Sequence, residues 1–291
     1  MKKTSNLGLG ILVILCIFSF FFSSVTCEEI PKPTLYVGGS GPGNYTLIQA
    51  ALDNVTAGGT VYVFPGTYHE RIVINKPIHL IGDEKTSTII DGGNVEYVVI
   101  LEADNSALSG FTITHSGKTF PEAGVYVKSD GNSISGNLLT DNFYGMRLES
   151  TKNNMITSNV IIYNLRCGIY FSRASDNILT GNIVSNHSFN GFGLYEFSNN
   201  NTLLENIFSQ NNFSGINIRD SMGNHVVDNR ILGNRIGLHV PSPEYNTVVH
   251  GNVFSQNSID LEEERDLLIM IGSGYGVFII VVFLVLKKWK T

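Results

Sequence analysis

The 291-residue sequence is short of cysteine, of basic charge and of tryptophan. Of three cysteines, Cys16 and Cys27 lie in or beside an N-terminal apolar run, and only Cys167 stands in the body of the chain. An internal disulfide framework is therefore excluded. Cys167, just before Gly168, reads as a small core residue. The formal net charge is −6, and setting aside the five lysines of the two ends leaves −11 for residues 28–286. Such a balance argues against a nucleic-acid partner, whose phosphates reward basic patches. The only tryptophan, Trp289, sits near the C-terminus, so no motif of the central chain can rest on one.

What the sequence has in place of these is repetition. From Gly124 to Asn257 one pattern recurs six times at a period of about 23 residues. It consists of a glycine, two apolar residues separated by one, and three asparagines about five positions apart. The glycines are Gly124, Gly145, Gly168, Gly191, Gly215 and Gly237; the middle asparagines are Asn137, Asn159, Asn182, Asn206, Asn229 and Asn252. Self-similarity at a fixed period marks a solenoid.

Each repeat carries apolar residues one and three positions after its glycine, as at Val125 and Val127 or Ile169 and Phe171. This alternation indicates a strand with one buried face. Two further apolar columns follow the first and second asparagines, for example Leu179 with Val184 and Leu203 with Phe208. Three short inward-facing strands per repeat make a three-sided coil, and stacked coils satisfy one another's backbone. The asparagines, Asn132, Asn154, Asn177, Asn201 and Asn224 among them, are expected at corners. There they can take left-handed backbone geometry and pair along the stack. The repeat glycines mark unusual backbone angles or close approach.

Before the array, residues 28–43 read as a proline- and glycine-rich extended lead-in. Thr46 with Gln49 forms a capping box that opens a helix to about Asn54, with Leu47, Ile48, Ala51 and Leu52 on one side. Such a helix would cover the open end of the first coil. Two less regular coils occupy about residues 89–117, and residues 118–123, with Pro121, are a loop inserted before the regular repeats.

The two ends read as delivery and anchoring. Lys2 and Lys3, an apolar run over 7–22 and small residues up to Cys27 have the layout of a secretory signal. Residues 267–286 are a 20-residue apolar stretch with lysines beyond it at Lys287, Lys288 and Lys290. That length matches a bilayer core, and the lysines place the C-terminus in the cytoplasm. The expected organisation is a signal at 1–27, lead-in and cap at 28–58, coils at 59–260, an acidic segment at 261–266, a transmembrane helix at 267–286 and a tail at 287–291. Five sequons, at Asn44, Asn54, Asn186, Asn200 and Asn212, permit glycosylation of the outer part.

From Gly59 to Gly82 the alternating apolar residues Val61, Val63, Ile72, Ile74, Ile78 and Leu80 resemble the first coils of right-handed parallel β-helix proteins of the pectin lyase-like kind. Gly66, Tyr68 and Glu70 are similar to the opening motif of pectin methylesterases. The Asp-Phe-Ile-Phe-Gly and Leu-Gly-Arg-Pro-Trp runs that carry esterase chemistry there are absent, and so are the clustered aspartates of polygalacturonases. The repeat over about residues 36–260 resembles the NosD-like family, which includes domains grouped as carbohydrate-binding and sugar-hydrolysing. The resemblance implies an all-β, right-handed parallel β-helix; with the repeat and the two ends read above, the expected architecture is a three-sided solenoid with an N-terminal helical cap and a C-terminal transmembrane helix.

If the first and third residues after each glycine face in, the second and fourth face out. Tyr126, Arg147, Glu149, Tyr170, Tyr195, Arg219 and His239 then make an outward strip of rings and hydrogen-bonding groups. Tyrosine offers a flat ring to a sugar face, and Arg, Glu and Asn meet its hydroxyls. A plain solvated sheet face is the competing reading. Glycoside hydrolysis needs two carboxylates at fixed separation, for which Glu149, Glu196 and Asp220 are the nearest acids. They do not share one column. A copper-maturation or transport role, implied by the NosD-like resemblance, would draw on histidine, cysteine and methionine. His69, His79, His115, His187, His225, His239 and His250 occupy different repeat positions, and Met146, Met155 and Met222 are scattered. No cofactor is expected. The reading is a cell-surface protein that binds glycan or other surface proteins, or contributes to a surface layer, with a polysaccharide hydrolase or lyase as the alternative.

Overall fold

The structure, a computed structural model, describes residues 33–241, 245–273 and 276–288. The expected signal at 1–27, with Cys16 and Cys27, lies outside the described residues.

Three sheets wind into a right-handed-type parallel β-solenoid of about 10 turns. One sheet of ten strands starts at Thr34–Val37, passes through Ser133–Ser135, Met155–Thr157 and Ile178–Thr180, and ends at Val248–His250. A second, of nine, runs from Gly66–Tyr68 through Leu138–Thr140 and Ile183–Ser185 to Val253–Ser255. The third holds the strands that begin one residue before or after the repeat glycines, among them Ala123–Val127, Tyr144–Glu149, Ile169–Ser172, Phe192–Tyr195, Ser214–Ile218 and Ile236–Val240. We call it the glycine sheet. Every repeat pairs in parallel with the next at equivalent positions, for instance Ile169 with Phe192 and Phe171 with Leu194. The stack begins at Thr34, inside the segment expected as lead-in, because Thr34–Val37 pairs with Thr60–Val63.

The inward columns form one core down the tube. Val125, Val127, Met146, Leu148, Ile169, Phe171, Phe192, Leu194, Ile216 and Ile218 are all fully buried. Each such side chain contributes about 1.5–3 kcal/mol, so the core grows by the same increment with every coil.

The asparagines pair along the stack as expected, but the left-handed geometry expected of them belongs to a neighbour. In the middle column, Oδ1 of Asn206 accepts from the backbone N–H and the Nδ2 of Asn182, at 2.9 and 2.9 Å, while its own Nδ2 donates to the Leu179 carbonyl at 2.9 Å. Asn229 repeats this on Asn206, and Asn159 on Asn137. None of these asparagines is itself left-handed. The left-handed residue is the one before, Gly136, Ser158, Gly181, Glu205, Asp228 and Gly251 in this column, with φ between 54° and 68°. The corner bends at that residue, which frees the asparagine amide to join coil to coil. The repeat glycines are likewise not left-handed. They are sites of close approach, since a Cβ on Gly191 would lie 2.7 Å from the Gly215 carbonyl and one on Gly145 would lie 2.6 Å from that of Gly168.

The cap helix spans Ile48–Asn54, buries Ile48, Ala51 and Leu52, and leaves Leu47 exposed. No side chain of its N-cap residue, Leu47, bonds to it, so the expected Thr46 capping box is corrected. The Glu70 carboxylate, from the first coil, accepts the N–H groups of Ile48 and Gln49 at 2.8 and 3.0 Å. A carboxylate there satisfies orphan donors and the positive helix end. Tyr68, from the same esterase-like motif, donates to the Phe64 carbonyl at 2.8 Å, so both residues serve the fold.

The expected transmembrane helix is also corrected. Among the described residues no helix is long and apolar enough to cross a membrane. Residues 267–286 fall instead within Ile259–Ser273 and Gly276–Lys288, two strands that pair antiparallel on the end of the glycine sheet. The segment is rich in Val and Ile and is broken by Gly272, Ser273, Gly274 and Gly276, which favours a strand pair beside an open sheet edge.

In the third asparagine column one position is a histidine. His187 stands between Asn164 and Asn211; its Nδ1 accepts from the Asn164 N–H at 3.1 Å and its Nε2 lies 3.0 Å from the Ile161 carbonyl. One acceptor and one donor copy an amide only if the ring is neutral. Burial lowers the His187 pKa to about 4 from an ordinary 6.5. The unfolded chain therefore takes up the proton first as pH falls. The neutral ring's contribution is complete above about pH 6.5 and drains as pH drops towards 4. His187→Asn is expected to change stability little at pH 7.5 and to remove about 2–3 kcal/mol of the loss otherwise seen by pH 4.5. Denaturant titrations at the two pH values check this, and equal acid losses in both proteins would refute it.

Candidate functional site

The second residue after each glycine does face out, but that side of the glycine sheet is not an open surface. Arg147, Asn217 and His239 are buried there, and Tyr126 and Tyr170 are half-buried. Part of the cover comes from residues ahead of the regular repeats, Tyr97 in an irregular coil and Phe120 in the inserted loop. Tyr97 stacks on Tyr126 with centroids 4.4 Å apart, and the Arg147 guanidinium sits 4.8 Å from the Tyr126 ring and 5.5 Å from that of Phe120.

Glu149 closes this cluster. It accepts from the Tyr126 hydroxyl at 2.5 Å, from Arg147 at 2.9 Å and from Arg173 at 2.8 Å. Burial pushes its pKa up, but the Tyr126 hydrogen bond and the two guanidinium charges outweigh that and leave it lowered. Arg173 also pairs with Glu196, which accepts from Ser172 at 2.8 Å. One guanidinium thus bridges the two acids. A general acid for glycoside hydrolysis needs a raised pKa, the opposite of what Glu149 has. Asp220, the third acid, is exposed and left-handed at φ 49°.

Along the same face the tyrosines form a ladder. Tyr144 and Tyr170 lie 5.0 Å apart, and Tyr170 and Tyr195 lie 5.1 Å apart. Tyr195 belongs to the fourth position of its repeat, yet its ring folds back over Gly193, where a Cβ would meet Tyr195 Cε2 at 2.4 Å. Gly193 vacates the second-position column and Tyr195 fills it, its hydroxyl accepting from Asn190 at 2.9 Å. Both faces of Tyr170 are therefore covered by neighbouring rings, and the flat ring expected to meet a sugar is not available.

A second ladder lies two residues before each glycine. Phe189 and Phe213 stack 5.0 Å apart at 11°. Arg166 caps Phe189 at 4.0 Å, and Arg235 caps Phe213 at 5.2 Å. From the second repeat on, the column reads Phe143, Arg166, Phe189, Phe213 and Arg235, and in the first it is Glu122. It was legible in the repeat but lies on the far side of the glycine from the residues expected to bind.

A cleft of about 370 Å³ is lined by both ladders: Tyr144, Tyr170 and Tyr195 from one, Arg166, Phe189 and Phe213 from the other. Cys167, Asn217 and Arg219 complete it. The Cys167 thiol is 2 % exposed and burial pushes its pKa up to about 12, so it is a wall residue and not a nucleophile. Of the seven residues expected to bind, Tyr170, Tyr195 and Arg219 line the cleft, and Tyr126, Arg147 and Glu149 form the ionic cluster of the neighbouring coils. His239 stands elsewhere, its Nδ1 3.1 Å from Glu262. Of the sequons, Asn54, Asn186, Asn200 and Asn212 are exposed; Asn44 is half-buried and donates to the Gly38 carbonyl at 2.6 Å.

The NosD family, described as a periplasmic copper-binding protein, matches residues 80–267, more than half of the chain. The chain belongs to the NosD family. No curated protein of related sequence matches it. Among solved structures, this NosD-family chain is similar to the catalytic domain of a GH87 α-1,3-glucanase in complex with tetrasaccharides, at TM-score 0.64 and 12% identity over 87% of this chain and 50% of that one. It is also similar to the catalytic unit of a GH87 α-1,3-glucanase from Streptomyces thermodiastaticus strain HF3-3, at 0.63 and 16% over 80% and 48%. A third likeness is to ORF18 of Geobacillus virus E2, at 0.53 and 15% over 75% and 56%. Identities this low show the fold alone, and the chain spans about half the length of these proteins.

The family's description raises copper, and the residues do not fit it. Among the described residues no three His, Cys, Asp or Glu come together to hold a metal ion. His115 and His69 each lie against the Asp91 carboxylate, at 3.1 and 3.7 Å, without the three forming such a group. Both ring nitrogens of His187 are engaged in the ladder, and Met146 is in the core.

The placement of Tyr195 generates a prediction. Gly193→Ala should displace the ring and cost about 1–2 kcal/mol, and most of that cost should vanish when Tyr195 is already alanine. A double-mutant cycle in urea measures the coupling; additive costs would contradict the stacked position of Tyr195.

Proposed function

We propose that this NosD-family protein recognises glycan through the cleft between its tyrosine and phenylalanine ladders. The observation that carries the reading is the cleft itself. A concave, partly aromatic wall holds a few polar groups in fixed positions, which is how small-ligand sites are built. The Tyr hydroxyls, Arg166, Arg219 and Asn217 supply donors and acceptors at its edges. Sugars are dense in hydroxyls, and an array of rigid hydrogen-bonding edges suits them. Solved relatives of the fold act on or bind polysaccharide, as their descriptions state, and that supports the substrate class. Turnover is not part of the proposal, since Arg173 bridges Glu149 and Glu196 and holds both in ion pairs.

Tyr170→Ala removes the middle of the tyrosine ladder, and Tyr195→Ala its end. Each is expected to weaken glycan affinity about tenfold or more, equivalent to about 1.4 kcal/mol, while Tyr36→Ala, at the other end of the solenoid, leaves it unchanged. A glycan array followed by calorimetry on the hits provides the measurement, and full affinity in both ladder variants would sink the site.

We place this activity at the outer face of a membrane, as part of a cell-surface layer, with the apolar residues 267–286 as the point of attachment. Composition supports this: the stretch runs for twenty residues without a charge. Deleting residues 267–291 is expected to move the protein from the membrane fraction to the soluble one. Recovery of the intact chain in the soluble fraction would contradict attachment.

A further inference from the structure

Each ring that lines the cleft lies against a neighbouring ring, and Tyr170, Phe189 and Phe213 are covered on both faces, so what these three turn towards a ligand is their edges. Tyr170 is covered on both faces by Tyr144 and Tyr195, Phe189 by Arg166 and Phe213, and Phe213 by Phe189 and Arg235. An aromatic ring is electronegative on its face and electropositive at its rim. Edge-on lining therefore presents partial positive charge.

The full charges have the same sign. Arg166 and Arg219 line the cleft, and no aspartate or glutamate does. Arg147 and Arg173, on the same face, are taken up by Glu149 and Glu196. Arg166 and Arg219 form no ion pair among those found in the described residues. The Arg166 guanidinium lies against Phe189, and in a stacked guanidinium the N–H donors lie in the plane, free for a ligand. In a chain of net charge −6, an acid-free pocket with two uncommitted arginines is a local reversal.

Asn217 adds a third requirement. It is 2 % exposed, lines the cleft, and its Oδ1 accepts no hydrogen bond. A buried acceptor without a donor costs about 1–3 kcal/mol, which a ligand hydroxyl would relieve.

We propose that the cleft selects anionic sugars, in which carboxylate or sulfate groups meet Arg166 and Arg219 and a neighbouring hydroxyl donates to Asn217. This deepens the glycan reading and rests on it. An ionised oxygen accepting from a guanidinium forms a shorter, stronger bond than a neutral hydroxyl does, so charge should dominate selectivity. The field is screened by salt, so affinity should fall with ionic strength.

The test is calorimetry on the purified full-length chain in mild detergent. The probes are an oligogalacturonate, a sulfated oligosaccharide and a neutral malto-oligosaccharide of the same length. At least one anionic probe is expected to bind tenfold or more tighter than the neutral one, and the stronger of the two identifies the anionic group. Arg166→Gln and Arg219→Gln should each weaken that binding five- to twentyfold and reduce its salt dependence. Arg230→Gln, on the outer face of another sheet, should not change it. Equal binding of neutral and anionic probes, or an Arg230→Gln loss as large as the other two, overturns the anionic assignment and leaves the glycan reading standing. Failure of all three probes to bind overturns both.

Discussion

Everything in this protein depends on how closely one coil can lie on the next. Parallel strands set a spacing of about 4.8 Å, and at that distance there is no room for a Cβ above the carbonyl of the glycine in the following coil. Glycine at each repeat start is therefore a packing requirement. The asparagine columns solve the matching problem at the corners, where strand pairing stops and backbone N–H groups would be stranded inside the protein. Each side-chain oxygen accepts the N–H of the equivalent residue one coil earlier, so a polar group that would be costly to bury becomes a link between coils.

The same spacing shapes the outer surface. Equivalent side chains are held in register at a distance close to the thickness of stacked rings, so aromatic residues at one repeat position lie face to face. Their faces are used up within the protein and their rims are left. Gly193 and Tyr195 show how strictly this holds: the repeat without a ring in the column leaves a gap, and a tyrosine two residues on bends back to fill it. The cleft is thus a consequence of the stack, formed where the tyrosine and phenylalanine ladders share it.

Much of the fold was legible in the sequence because the constraint that builds it repeats. The period, three inward columns and the glycine and asparagine positions were all readable from periodicity, and the buried columns follow it from Val125 to Leu238. Local rules failed where a partner came from far along the chain. The cap helix takes its N-terminal acceptor from Glu70 and not from Thr46, and no local motif encodes that. The left-handed turn falls one residue before each asparagine, at positions as unlike as Gly136, Ser158 and Glu205. The apolar run at 267–286 has the length of a membrane helix, but its β-branched residues and glycines pair as strands on the sheet end. For the site, alternation placed Tyr170, Tyr195 and Arg219 on the outer side, yet alternation applies only within a strand. The residues two before each glycine precede that strand, so Phe189, Phe213 and Arg166 escaped it. Arg147 and Glu149, read as part of a binding strip, are committed to one another and to the inserted loop's surroundings.

The claim that ties these observations together is that in-register stacking creates a ligand cleft between two aromatic ladders on the glycine sheet. A crystal structure of the chain grown with a bound acidic oligosaccharide tests it most directly. The account predicts sugar density along Tyr144, Tyr170, Phe189 and Phe213, with Arg166 and Arg219 in contact and the rings still stacked. Sugar bound on another sheet, or rings unstacked to lie flat against it, would contradict it.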